Sequence, residues 1–239
     1  MFKLLSTANP KIQKGTALGY LSFILHLAPY TVSGKNTCPK ATAGCAAACL
    51  NTAGRGGMFR KGETTNVIQQ ARIRKTNYFY TDRGAFLQDL RDDIAKAIRF
   101  AEGKGLKPVF RLNGTSDLSF EKYTVGDTGK NIFELFPEEQ FYDYTKVLGR
   151  KVKDIANYHL TFSRAESNDS DVAKALEQGM NVAAVFDELP KEYRGRAVIN
   201  ADLHDLRFLD PRGVICGLKA KGRAKKDASG FVVKIKEAA

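Results

Sequence analysis

Short apolar runs recur along the chain, and a burst of Asp, Asn, Ser, Thr, Lys or Arg follows each one. Runs of this length bounded by turn-forming residues read as strands. The first covers residues 19–28 (GYLSFILHLA) and is closed by Pro29, and further strands are expected at 107–112, 140–144, 158–162, 181–186, 198–200 and 213–218. Helical patterns fill 67–80, 85–101 and 169–178. In the second of these Phe86, Leu90, Ile94, Ala97, Ile98 and Ala101 recur every three or four positions, and Gly103 and Gly105 close it. Residues 50–63 (LNTAGRGGMFRKGE) are Gly-rich and read as irregular.

Nearly continuous apolar character suggests strands buried on both faces, as in a parallel sheet. Polar residues gathered where strands end point to an α/β protein built as a complete or partial β/α (TIM-like) barrel with mainly parallel strands, its site at the C-terminal mouth. An open doubly wound sheet is the alternative, and it also places ligands at strand ends. With 239 residues, 43% of them hydrophobic, the chain can bury a full core. The expected organisation is a single barrel domain over residues 1–239, with a cysteine-containing loop at 30–63 and a basic segment at 219–239.

Charge changes the picture. The formal net charge is +12, and KAKGRAKK at residues 219–226 concentrates it. Such a balance attracts polyanions, so nucleic acid or a nucleotide is an expected partner, a solvated basic tail being the alternative. The opening MFKLLSTANPKIQK turns polar too early for a signal peptide, and the longest apolar stretch falls short of a membrane span. A cytoplasmic location with no membrane partner is expected. The sequence leaves the oligomeric state open.

Candidate chemistry begins with Cys38, Cys45 and Cys49 in the run CPKATAGCAAAC, directly after the first strand. Three thiolates can hold an iron–sulfur cluster or a zinc ion and leave one metal position open. The C-x6-C-x3-C spacing is neither a zinc-finger pair nor a thioredoxin-type C-x-x-C. Burial as small hydrophobes is the competing reading, with a disulfide third. Asp143 and Lys146, at one strand end, form a candidate acid/base or substrate-binding pair. His204 with Asp202 and Asp205 could bind a divalent cation for phosphodiester hydrolysis, although Asx turns and ion pairs explain the same residues. His26 and His159 read as core histidines unless one lies beside the cysteines. Arg111 is costly to bury unpaired and is expected to meet a carboxylate or an anionic ligand. Gly54, Gly56 and Gly57 could cradle a phosphate through backbone amides.

The stretches STANPKIQKG, GCAAACLNTAGRG, RLNGTSD, NYHLTFSRAE, HDLRFLDPRG and GLKAKGRA resemble a bacteriophage and prophage family labelled gene product 88-like, a label that carries no chemistry. Phage origin would make the location the host cytoplasm. The order of strand, three-cysteine loop, long helix and second strand with a polar Gly-containing end more distantly resembles the radical S-adenosylmethionine enzymes, whose fold is a partial β/α barrel. That resemblance implies a [4Fe–4S] cluster on Cys38, Cys45 and Cys49, S-adenosylmethionine as second cofactor, and an external reductant. Asn113, Thr115, Ser116 and Asp117 would lie where the methionine amino group is held. Ser163, Arg164 and Glu166 would lie where ribose and carboxylate contacts fall. The chain departs from the superfamily's C-x3-C-x2-C spacing and has NGTSD in place of a Gly-Gly-Glu motif. Zinc on the same cysteines, in a nucleic-acid-binding phage protein, is the alternative cofactor reading; a cation-dependent nuclease is the third.

Overall fold

The computed structural model describes residues 3–7 and 14–235. Part of the STANPKIQKG stretch and the last four residues of the basic segment 219–239 lie outside the described residues. The chain forms one ten-stranded, mostly parallel sheet. Its strands are β1 (Leu5–Ser6), β2 (Tyr20–Leu25), β3 (Lys107–Arg111), β4 (Gln140–Thr145), β5 (Tyr158–Ser163), β6 (Val182–Phe186), β7 (Glu192–Tyr193), β8 (Arg196–Asn200), β9 (Ile215–Lys219) and β10 (Val232–Val233). The path runs β1-β2-β3-β4-β5-β6-β9-β8-β7, with β10 also parallel to β6. Among the described strands, only the β1–β2 and β7–β8 pairs are antiparallel. Among the described strands the path does not return on itself into a closed ring.

The seven longer strands match the expected runs, and β2 stops at Leu25, short of the apolar residues that follow it. The two-residue strands β1, β7 and β10 were not anticipated, because so short a pairing has no periodicity to read. Helices α1 (Ala43–Ala47), α2 (Val67–Thr81), α3 (Arg83–Glu102), α4 (Ile132–Leu135) and α5 (Asp169–Glu177) complete the fold. Asp82 caps α3 by accepting from the Ala85 N–H, and Gly103 ends it. The Gly-rich stretch after Cys49 folds into two 3-10 turns, Leu50–Thr52 and Gly54–Gly57.

Alternation along the parallel strands sorts side chains onto two unlike faces. One face carries Phe23, Phe110 and Phe141, whose rings stack in series with centroids 5.6 and 5.3 Å apart. Against them pack Phe79, Phe86, Leu90, Ile94 and Ala97 from α2 and α3. Farther along the same face, Phe162, Val182 and Ile215 bury Val172, Ala175 and Leu176 of α5. On the opposite face Val109 and Tyr142 are covered by Leu206 and Phe208, from the segment after β8, which includes a 3-10 turn at Arg207–Leu209. Arg111 and Tyr144, farther along that face, meet Asp205 of the same segment.

The basic segment is not a solvated tail. It includes the end of β9, a 3-10 turn at Gly222–Lys226 and β10, where Val232 is buried. No helix among the described residues is long and apolar enough to cross a membrane.

Candidate functional site

All seven longer strands run in one direction, so their C-terminal ends and the loops leaving them gather on one side. There the chain encloses a cavity of about 410 Å³. Cys38, Cys45 and Cys49 line it together with Asn113, Thr115, Ser116 and Asp117 after β3, Lys146 after β4, and Ser163 and Arg164 at the end of β5. Ten of the thirteen candidate site residues therefore meet at one opening.

The cysteine loop is pinned at several points. The Thr37 hydroxyl donates to the Ala28 carbonyl at 2.6 Å, and Ala28 N–H donates to Thr76 Oγ1 of α2 at 2.8 Å. Cys38 Sγ accepts from Tyr30 N–H at 3.3 Å and lies 3.8 Å from the Thr115 carbonyl. Cys45 sits in the first turn of α1, where Thr42 Oγ1 accepts its N–H. Cys49 Sγ accepts from Asn51 N–H, and the Asn51 amide oxygen in turn holds Arg72 at 2.6 Å. The three thiols are half-buried and unbridged. Burial raises the Cys38 and Cys49 pKa values, and neighbouring cysteines add to the shift, so the thiols feel one another's charge. Among the described residues no three His, Cys, Asp or Glu side chains converge as they would around a single metal ion.

The Asn113–Asp117 loop is equally fixed. Asn113 N–H and Nδ2 donate to the two oxygens of Asp143 at 2.7 and 3.1 Å, and its Oδ1 accepts from Ser116 Oγ and Leu118 N–H. Gly114 has to be glycine here: a Cβ would stand 2.5 Å from Ile24 Cγ2 and 2.8 Å from the Leu25 carbonyl. Asp117 Oδ2 accepts from Lys146 N–H at 2.8 Å, tying the β3 and β4 exits together.

Three candidates stand off the cavity lining. Asp143 is fully buried behind Asn113 and also accepts from Tyr158 Oη at 2.8 Å, so it positions the loop. His204 Nδ1 faces Arg207 Nη2 at 3.2 Å. Glu166 turns to the cysteine loop, accepting from Thr42 Oγ1 at 2.7 Å and Gly44 N–H at 2.6 Å. Burial opposes its ionisation, yet these hydrogen bonds keep its pKa below the ordinary carboxylate value. Glu166→Gln should loosen α1. Losing one charge-assisted bond, about 1.5 kcal/mol, corresponds to roughly tenfold faster hydrogen exchange at the Gly44 amide. Unchanged exchange there would remove the latch.

Asp143 also gives a pH signature. Burial raises its pKa to about 6 against the opposing pull of Arg111 and the Asn113 and Tyr158 hydrogen bonds. The folded chain then holds a proton that the unfolded chain releases, so this group's contribution to stability falls as pH rises from about 4 to about 6. Urea titrations of the parent chain and Asp143→Asn across that window should diverge in slope, the parent losing up to about 3 kcal/mol relative to the variant. Parallel curves would contradict the shift.

Other groups in the cavity were less legible. His26 lines it, and burial, with Arg72 and Arg111 nearby, pushes its pKa down to about 3, so the ring is neutral. Arg111 pairs with Asp205 at 2.9 Å and stacks over the Tyr144 ring, meeting the carboxylate expected of it. Arg72 lines the wall with its Nε buried and unbonded. No apolar pattern in α2 singled it out. Asp202 pairs with Lys221 at 2.6 Å, so both acidic residues of the 202–205 cluster face cations. Gly56 and Gly57 meet the Asn51 and Thr52 carbonyls too closely to admit a Cβ, so tight turns use them.

Fold and site together define a mostly parallel α/β protein with a cysteine-lined, cation-rich cavity at its strand ends. The chain belongs to the gene product 88 family of bacteriophage proteins: the family's sequence model matches residues 3–235. No curated protein matches it, and no solved structure does.

Proposed function

We propose that the protein is an iron–sulfur protein of the radical S-adenosylmethionine type, acting on nucleic acid or a nucleotide. The observation that carries this reading is the meeting of Cys38, Cys45 and Cys49 on the wall of one cavity with Asn113–Asp117, Ser163 and Arg164. Helices packed on one sheet face, and Arg111 and Tyr144 of the other face lining the cavity, support a partial β/α barrel. The donor types suit a cluster, since iron–sulfur clusters are held by cysteine thiolates and three cysteines line this one cavity, although among the described residues the three thiols are not grouped as the ligands of a single metal ion. Cys38, Cys45 and Cys49 would hold the cluster, which with S-adenosylmethionine bound would supply one-electron chemistry.

The chain's own residues have definable tasks. Asn113, Ser116 and Asp117 present fixed polar groups to a cofactor's amino and hydroxyl groups. Arg72, Lys146 and Arg164 offer positive charge to carboxylate or phosphate. Neutral His26 offers a ring nitrogen. Anaerobic purification and reconstitution should give about four irons and four sulfides per chain, with S-adenosylmethionine perturbing the cluster's electron paramagnetic resonance. One tightly held zinc per chain, without iron, would replace this reading with a zinc-stabilised nucleic-acid-binding protein.

A further inference from the structure

The basic segment 219–226 contributes to the cavity's wall. Lys219 and Lys221 line it directly, and so does Ala224, which is 6% exposed and anchors the turn that carries them. On that turn Arg223, Lys225 and Lys226 are exposed. Among the described residues no carboxylate lies within ion-pair distance of Lys219, Arg223, Lys225 or Lys226, nor of Lys146 or Arg72. Lys221 alone of the segment is paired, to Asp202. Unneutralised charge is therefore carried by Lys219 in the cavity lining and by the exposed side chains of the turn that Ala224 anchors there, and a buried, unbonded guanidinium Nε of Arg72 lies within.

Shape narrows the ligand. A cavity of about 410 Å³ has room for one nucleotide-sized group and none for a duplex. Its lining includes Phe231, under the Lys146 ammonium with the nitrogen 6.0 Å from the ring centroid. Arg164 fixes that ring's backbone by donating to the Gly230 and Phe231 carbonyls at 2.6 and 2.9 Å. Cations that track a backbone beside an aromatic face are the recognition elements of single-stranded nucleic acid. Chemistry on a base likewise requires that base to be unstacked.

We propose that the rim formed by Lys219, Arg223, Lys225 and Lys226 binds the phosphates of a single-stranded polynucleotide and delivers one unpaired nucleotide into the cavity, beside Phe231. This names the substrate class of the proposed function and rests on that reading only for what happens after binding.

The test is fluorescence anisotropy of the full chain with a labelled single strand and its duplex. Two variants are compared: Lys219, Arg223, Lys225 and Lys226 all changed to Gln, and the equally charged set Lys96, Arg99, Lys104 and Lys107 changed to Gln, on α3, in the turn after it and at the start of β3. The rim variant should bind the single strand at least about tenfold more weakly and show a salt dependence flattened by up to about three log units per log unit, while the other set stays near parent affinity. A parent preference for single strand over duplex is expected. A strand carrying 5-iodouracil should crosslink, on irradiation, within residues 219–231 or at Tyr144. Equal weakening by both variants, equal affinity for duplex, or crosslinks confined elsewhere would each overturn the proposal. Circular dichroism confirms that both variants fold. Iron and sulfide are measured on the same samples: loss of binding with iron retained, or binding retained in a chain without iron, separates failure of this inference from failure of the cluster.

Discussion

Changing any one of Cys38, Cys45 or Cys49 to Ser is expected to abolish stoichiometric iron and sulfide, whereas Cys216→Ser leaves both at the parent level. The first three thiols share one cavity. Cys216 packs among Ala183, Ala201 and Val214, donates to Asp210 at 3.4 Å, and is pushed up to about 12 by burial and that carboxylate. A thiol so reluctant to ionise makes a poor metal ligand, because the thiolate is the binding form. Burial disfavours the Cys38 and Cys49 thiolates too, but Lys146 lies close enough to favour Cys49 ionisation, and Arg72 registers the Cys49 charge. Bound iron would supply the remaining compensation. Full iron content in any of the three single variants, or its loss in Cys216→Ser, would exclude this assignment.

Asp205→Leu should lower stability by about 3–5 kcal/mol, the cost of leaving a buried guanidinium without its partner. Arg111 and Asp205 side chains are only 14% and 9% exposed, and their contact at 2.9 Å joins β3 to the segment that covers the second sheet face. Burial alone would lower the Arg111 pKa, yet Asp205 and the surrounding acidic groups raise it, so the guanidinium stays charged. Arg111→Met with Asp205→Leu should recover most of the loss, since removing both charges avoids the stranded one. Urea unfolding of the two single variants and the double closes the cycle. A neutral Asp205→Leu, or a double variant as unstable as the sum of the singles, would show that the pair does not hold this face. The pairing also bears on the nuclease reading, since Asp205 here answers Arg111 and Asp202 answers Lys221.

The regular elements were readable because their signals are local. The α3 stripe from Phe86 to Ala101 needs only its own spacing, and each long strand is an apolar run with polar residues at its end. Residues following parallel strands had to share a side of the sheet, which is why Asn113, Ser116, Lys146, Ser163 and Arg164 were found together. Other parts had no local signature. Glu166 lies 122 residues from Gly44, the backbone it anchors. Asp143 sits in a strand whose alternation turns it behind Asn113, and nothing nearby in the sequence names that partner. Arg72 is one polar residue among many on α2, and only its place beside Asn51 and the cavity sets it apart.

The sequence by itself determined the seven longer strands and the three longer helices, the three clustered thiols and the excess positive charge, since each depends on residue type and near-neighbour spacing. Tertiary structure decided which side chains face the cavity, that Lys219 and Lys221 of the basic segment line its wall, and that the segment after β8 covers the second sheet face. Those outcomes follow from strand register and from ion pairs between residues as far apart as Arg111 and Asp205, which become neighbours only once the sheet has formed.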